Sequence, residues 1–135
     1  MTDQRGSLTA FLAVLATGLF VVVGLVVDGG RAIAAKREAA DVAEQAARVG
    51  ADQLSIDDLR AGRFVVDPQA ASNAVAGYLS VARMTGHSSV SGDSVTVHVS
   101  DNSTTAVLGI IGIRVIPVSA TASATNLHGV TKEDQ

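Results

Sequence analysis

LTAFLAVLATGLFVVVGLVV, residues 8–27, contains no charged side chain. As an α-helix, 20 residues at about 1.5 Å each cover about 30 Å, the thickness of a bilayer's hydrocarbon core. Its polar exceptions, Thr9 and Thr17, have hydroxyls that can return to a helix carbonyl. Arg5 and Asp28 bracket the run. A core helix of a soluble protein is one alternative, but such helices rarely go uncharged over this length. A cleaved secretory signal is another, with Arg5 as its charged region and Ala32-Ile33-Ala34 as an A-x-A site. The apolar run is longer than the roughly 7–15 residues usual for such signals. The stretch therefore predicts a single transmembrane helix that anchors the chain in a lipid bilayer.

The small residues Ala10, Ala13, Ala16, Thr17, Gly18 and Gly24 allow close approach of another helix in lipid, where packing drives association. Ala13, Thr17, Gly18 and Gly24 are the candidate packing positions for a homo- or hetero-oligomer. Asp28, Gly30 and Arg31 mark the membrane boundary. Asp28 and Arg31 stand three apart, where they can pair with each other or with lipid headgroups. By the positive-inside rule, Arg31, Lys36 and Arg37 outweigh Arg5 and place the C-terminal side in the cytoplasm.

Gly29 to Leu54 has no proline and is rich in Ala, Glu, Gln, Arg and Lys, which favour helix. It reads as a juxtamembrane continuation over residues 28–54, loosened at Gly29-Gly30. A stripe of Ile33, Ala40, Ala47 and Leu54, with Ala43 and Gly50 between, is predicted to face a partner surface. Glu44 and Arg48 lie four apart in the favourable order. Ser55 to Val66 looks irregular. Asp67-Pro68 makes a helix start, and the helix runs to about Arg83 on an apolar face of Ala71, Ala74, Val75, Tyr78, Leu79 and Ala82, with Gly86 as its stop.

Beyond Gly86 the period becomes two. Ser94 to Val99 alternates with Val95, Val97 and Val99 inward, and Gly92-Asp93 is a turn from a partner strand over Ser88 to Ser91. Asp101-Asn102-Ser103 reads as a further turn or a helix start. Ala106 to Ile113 (AVLGIIGI) reads as a short helix or a buried apolar loop, too short to cross a bilayer. Arg114 to Thr125 alternates again, with Val115, then Val118, Ala120, Ala122 and Ala124, and Pro117 argues for an edge or a bulge. The predicted fold is α+β: a short segment 1–7, a transmembrane helix 8–27, its continuation 28–54, a small domain 55–126 with one further helix and an antiparallel sheet, and a polar tail 127–135.

The 135-residue chain has a net charge of −3 and no cysteine. Nothing in that balance favours nucleic acid, and thiol chemistry is excluded. His87, His98 and His128 lack ligand spacing, with His98 expected to be exposed. Asp52, Asp57 and Asp58 lack the spacing of a calcium loop. No nucleophile-base constellation, P-loop or zincin motif occurs, so neither an enzyme nor a cofactor is expected.

Arg5-Gly6, the uncharged helix, Val27-Asp28-Gly29-Gly30-Arg31, and the alanine-rich run from Ala39-Ala40-Asp41 through Ala46-Ala47 to Gly50-Ala51 together resemble the TadE/TadG-like proteins of Flp (tight-adherence) pilus assembly. The pattern is closest to that of TadG-like members. The resemblance covers residues 5–51. It implies a pilin-like, single-pass bacterial membrane protein of pilus assembly or secretion, with other Tad/Flp assembly proteins as partners. It also implies a cytoplasmic N-terminus and an extracytoplasmic C-terminal domain, against the charge count. Gly6–Ser7 becomes the candidate prepilin-type cleavage bond, although Phe11 stands where a processed pilin carries glutamate. The other functional class the sequence admits is a membrane-tethered extracytoplasmic binding or regulatory module unrelated to pili.

Overall fold

In a computed structural model, residues 4–126 are described. The tail over 127–135, His128 included, lies outside them. Helix α1 runs Gln4–Ala51, α2 Ile56–Arg60 and α3 Pro68–Ala82; strands β1 Thr85–Ser91 and β2 Ser94–Thr104 follow, then a 3-10 turn at Leu108–Ile111 and β3 Val115–Thr125. The sheet is antiparallel, in the order β1-β2-β3. The architecture is the α+β arrangement expected: a long apolar N-terminal helix, then a further helix and a small sheet. Gly29 and Gly30 do not interrupt α1. Two compact units form, one from the chain up to Ala35 with Asn102–Pro117, the other from Lys36–Asp101 with the chain from Val118 onward.

The second unit is built on small side chains. Ala39, Ala43, Ala46, Ala47 and Ala51 of α1 are buried with Val66, with Ala71, Val75 and Leu79 of α3, and with Val95, Val97 and Val99 of β2. The buried stripe begins at Ala39: of the expected stripe, Ala43, Ala47 and Gly50 are buried and Leu54 packs against the core, whereas Ile33 and Ala40 are exposed. The contact is set by the i, i+4, i+7, i+8 rows that a straight helix turns toward a wide surface. Gly50 sits where a Cβ would lie 3.0 Å from both Val75 Cγ2 and Val95 Cγ1. A helix lined with alanine and glycine thus comes close enough to fill the core against valines.

Asp67 caps α3, accepting from the N–H groups of Gln69 and Ala70 at 2.9 and 3.0 Å, with Pro68 in the first turn. The helix stops at Arg83, which takes the left-handed conformation at φ 57°, and not at Gly86. Gly86 is needed for a different reason: a Cβ there would meet the His98 carbonyl oxygen at 2.3 Å. Residues 55–66, read as irregular, contain the one-turn helix α2, whose N-cap Ser55 accepts from the Asp58 N–H.

Gly92-Asp93 forms the expected turn, pairing Ser91 with Ser94, but β1 begins earlier than Ser88, at Thr85. Asp101-Asn102-Ser103 continues β2 and is not a turn. On β3 the inward set is Ile116, Val118, Ala120, Ala122 and Ala124, while Val115 is exposed. The opposite sheet face is polar, as in one-sided antiparallel sheets: Thr96 bonds Ser123 and His98 Nδ1 bonds Thr121, each at 2.8 Å. His98 is thus half-buried rather than exposed. β3 is an edge strand, where Pro117 needs no ladder partner.

Gly50→Leu overpacks the contact with Val75 and Val95 and is expected to destabilise the fold by about 1–3 kcal/mol. Asp67→Ala removes the α3 cap and is expected to cost about 1 kcal/mol. Chemical unfolding of the full chain in mild detergent measures both.

Candidate functional site

The first unit contains the site. Asp28 ends the apolar run on α1 and is buried, 1% exposed. Its carboxylate accepts three backbone N–H bonds from the far side of the chain: Oδ1 from Ala106 at 2.7 Å, and Oδ2 from Val107 at 3.0 Å and Leu108 at 2.7 Å. These amides open the 3-10 turn Leu108–Ile111, where no local side chain supplies a cap. Such N–H groups lack an internal acceptor. Asp28 provides one from another element, a charge-assisted interaction stronger than a neutral bond. The Leu108 N–H, followed by that of Ala106, holds the Asp28 carboxyl below the ordinary aspartate range; burial opposes this, and the Val107 N–H and the Arg31 charge add to the lowering.

Two further contacts set the loop against the helix. Gly24 is buried, and a Cβ at that position would fall 2.2 Å from Val107 Cγ1. Only a residue without a side chain lets Val107 sit there. Thr17, Phe20 and Val21 of α1 then line an apolar groove with Val107, Leu108, Ile110 and Ile111. The Thr17 hydroxyl is turned back to the Ala13 carbonyl at 2.8 Å, so it presents its methyl-bearing side chain without an unsatisfied donor. The segment read as a short helix or buried apolar loop is a 3-10 turn whose Ile110, Ile111 and Ile113 are exposed.

The membrane-boundary residues are thereby separated. Asp28 is engaged by the loop amides, and no ion pair with Arg31 occurs among the described residues. Arg31 and Gly30 are exposed. Of the small residues on the helix, Gly24 is occupied by Val107, whereas nothing lies within 4 Å of a Cβ at Gly18, and Ala13 and Thr17 are exposed. Gly6 and Ser7 lie in the first turns of α1, and Ser7 is exposed.

Nothing in the spacing signalled that Asp28 and residues 106–108 would meet. The available hint was compositional: a buried-looking acid at the end of an apolar helix, and an apolar loop with no capping residue of its own. Cross-strand register brings His87 opposite His98, with ring centroids 5.2 Å apart, which sequence spacing did not reveal. Among the described residues no group of three or more His, Cys, Asp or Glu is arranged to hold a metal ion. Asp57 and Asp58 are used in surface ion pairs with Arg60 and Arg63.

The fold and site define a class: an α+β protein with one helix long and apolar enough to cross a membrane, and a carboxylate at the end of the apolar run that ties back a distant loop. Residues 6–53 match a family described as putative Flp pilus-assembly TadE/G-like. The N-terminal third of the chain is thus similar to TadE/G-like proteins, and the match contains the uncharged helix and Asp28 together with the alanine face through Ala51. No curated protein and no solved structure matches the chain.

Asp28→Ala leaves three N–H groups without their acceptor, and Asp28→Asn replaces one acceptor oxygen with a donor. Both are expected to accelerate amide hydrogen exchange at Ala106, Val107 and Leu108 by at least tenfold, on the basis that a charged hydrogen bond contributes about 1.5–3 kcal/mol. Gly24→Leu should do the same by displacing Val107. The folded carboxyl lies below its ordinary value of 3.8. The clamp is therefore at full strength above that value and lost only as pH falls through the lowered one. Exchange at the three amides is expected to stay slow, after correction for intrinsic rates, down to about pH 4.

Proposed function

We propose that this protein is a membrane-anchored, pilin-like structural component of Flp/Tad pilus assembly or secretion. It acts by packing its helix in the membrane and docking its outer domain on other assembly proteins, without catalysis. The observation that carries this is the TadE/G-like match over residues 6–53, which coincides with the uncharged span and with Asp28. The N-terminus is cytoplasmic and the C-terminal domain extracytoplasmic. This orientation follows the family pattern and opposes the count of Arg31, Lys36 and Arg37.

Ala13, Thr17 and Gly18 support the packing role: they are small and exposed on a helix otherwise covered by large apolar side chains. In lipid, such a face admits a second helix at short distance. Gly6–Ser7 is the bond a prepilin peptidase would cut. Phe11 occupies the position of the glutamate that pairs with a neighbour's new amino terminus in processed pilins, which supports a protein that stays in the membrane over one that enters a filament.

Two measurements test this. The full chain, recovered from membranes, is expected to co-purify with the membrane platform or ATPase of the pilus secretion system; failure to do so favours a tethered binding or regulatory module. Intact mass reads processing directly. A chain beginning at Met1 or Thr2 is the expected retained anchor, one beginning at Ser7 means prepilin cleavage, and one beginning near Ala35 overturns the anchor.

A further inference from the structure

We propose that the loop 105–114 is a second membrane-seated element, a re-entrant turn that lies among the acyl chains beside the transmembrane helix and is tethered at its base by Asp28. This rests on the reading of residues 8–27 as a membrane span, and it adds a part of the chain, far from that span in sequence, to the membrane contact.

Depth is the first reason. Leu108, Ile110 and Ile111 line a groove with Thr17, Phe20 and Val21. At 1.5 Å per residue, Val21 and Thr17 lie about 10 and 16 Å below Asp28 along the helix axis. A segment that touches those residues shares their depth. When the helix is in hydrocarbon, so is the tip of the loop.

The surface of the loop fits that location. Thr105 to Ile113 contains no charged residue. Ile110 and Ile111 are 85% and 62% exposed, and their side chains add to the apolar surface of Phe20 and its neighbours on the helix. In water this would be an uncovered apolar patch of the kind that marks an interaction surface. The first charge after the tip is Arg114 at the return of the loop, where a long side chain can reach the headgroups.

The backbone fits as well. Irregular backbone is excluded from lipid because unpaired N–H and C=O groups cost several kcal/mol each there. Here the N–H groups of Ala106, Val107 and Leu108 go to Asp28. Those of Ile110, Gly112 and Ile113 go to carbonyls within the loop, and Thr105 N–H donates to the Arg114 carbonyl at 3.1 Å. The Thr105 hydroxyl donates to the Ile113 carbonyl. Seven backbone N–H groups between Thr105 and Ile113 thus have acceptors within the protein, which lowers the cost of placing this turn in hydrocarbon.

The cysteine-free chain permits a direct test. Single variants Ile111→Cys, Val14→Cys and Ser89→Cys of the full-length protein are labelled with an environment-sensitive fluorophore and reconstituted into phosphatidylcholine–phosphatidylglycerol vesicles. Doxyl-labelled lipid and aqueous iodide serve as the two quenchers. The expected result is that labels at 111 and 14 are quenched several-fold more by doxyl lipid than by iodide, with the reverse at 89. A label at 111 quenched by iodide while that at 14 stays in lipid overturns the re-entrant loop and leaves the span standing. Labels at both 111 and 14 open to iodide overturn the span and the loop together. A label at 111 shielded from both quenchers means that a protein surface, such as a second copy of this chain, covers the loop, and this also overturns acyl chains as its surroundings.

Discussion

Three successive N–H groups at the start of an apolar turn need an acceptor, and no residue of that turn has one to offer. The Asp28 carboxylate meets that need from 78 to 80 residues away. Its two oxygens take all three donors, which a neutral side chain of the same size cannot do. The consequence is positional. With the base of the loop held at the end of the apolar helix, Val107 is set onto Gly24, and Leu108, Ile110 and Ile111 line the groove with Thr17, Phe20 and Val21. Removing the charge removes the three charge-assisted hydrogen bonds that tie the loop to the helix, whereas the contacts at Gly24 and along the groove are apolar.

Small side chains do the complementary work. At Gly24 the absence of a Cβ admits Val107, and at Gly50 it admits Val75 and Val95. Between Ala39 and Ala51 the buried face of α1 is entirely alanine and glycine. Such a face buries little area per residue, so its contribution depends on close approach and dispersion contact rather than on side-chain bulk. The valines of β2, alternating inward, supply the volume the helix lacks. Thr and Ser on the other sheet face, with His98 among them, satisfy one another across strands and leave that side polar.

Much of the fold was legible before any coordinates. The Leu8–Val27 run is uncharged and of bilayer length. Asp67-Pro68 is a helix start with an evident mechanism, and the Val95-Val97-Val99 alternation is a one-sided strand. Each is a local pattern whose physical cause lies within a few residues. Local composition also misleads in places. Glycine commonly ends helices, yet α3 stops at Arg83, which adopts the left-handed conformation, and Gly86 instead makes room for a neighbouring strand. Asp101-Asn102-Ser103 has turn composition, but pairing within the sheet carried β2 through it.

The sequence by itself determined the membrane-length helix, the alternation that makes the sheet, the cap of α3 and the TadE/G-like pattern around Asp28. These depend on composition and spacing over short distances, where periodicity is informative. Tertiary structure alone decided what Asp28 is for, which alanines of α1 are buried, and where the AVLGIIGI loop goes. An acid at a helix end can meet an arginine, a headgroup or a distant amide with the same local sequence. Only the folding of β2 and β3 into one sheet brings residues 106–108 to that carboxylate, and the register of that pairing is a property of the whole sheet rather than of any segment within it.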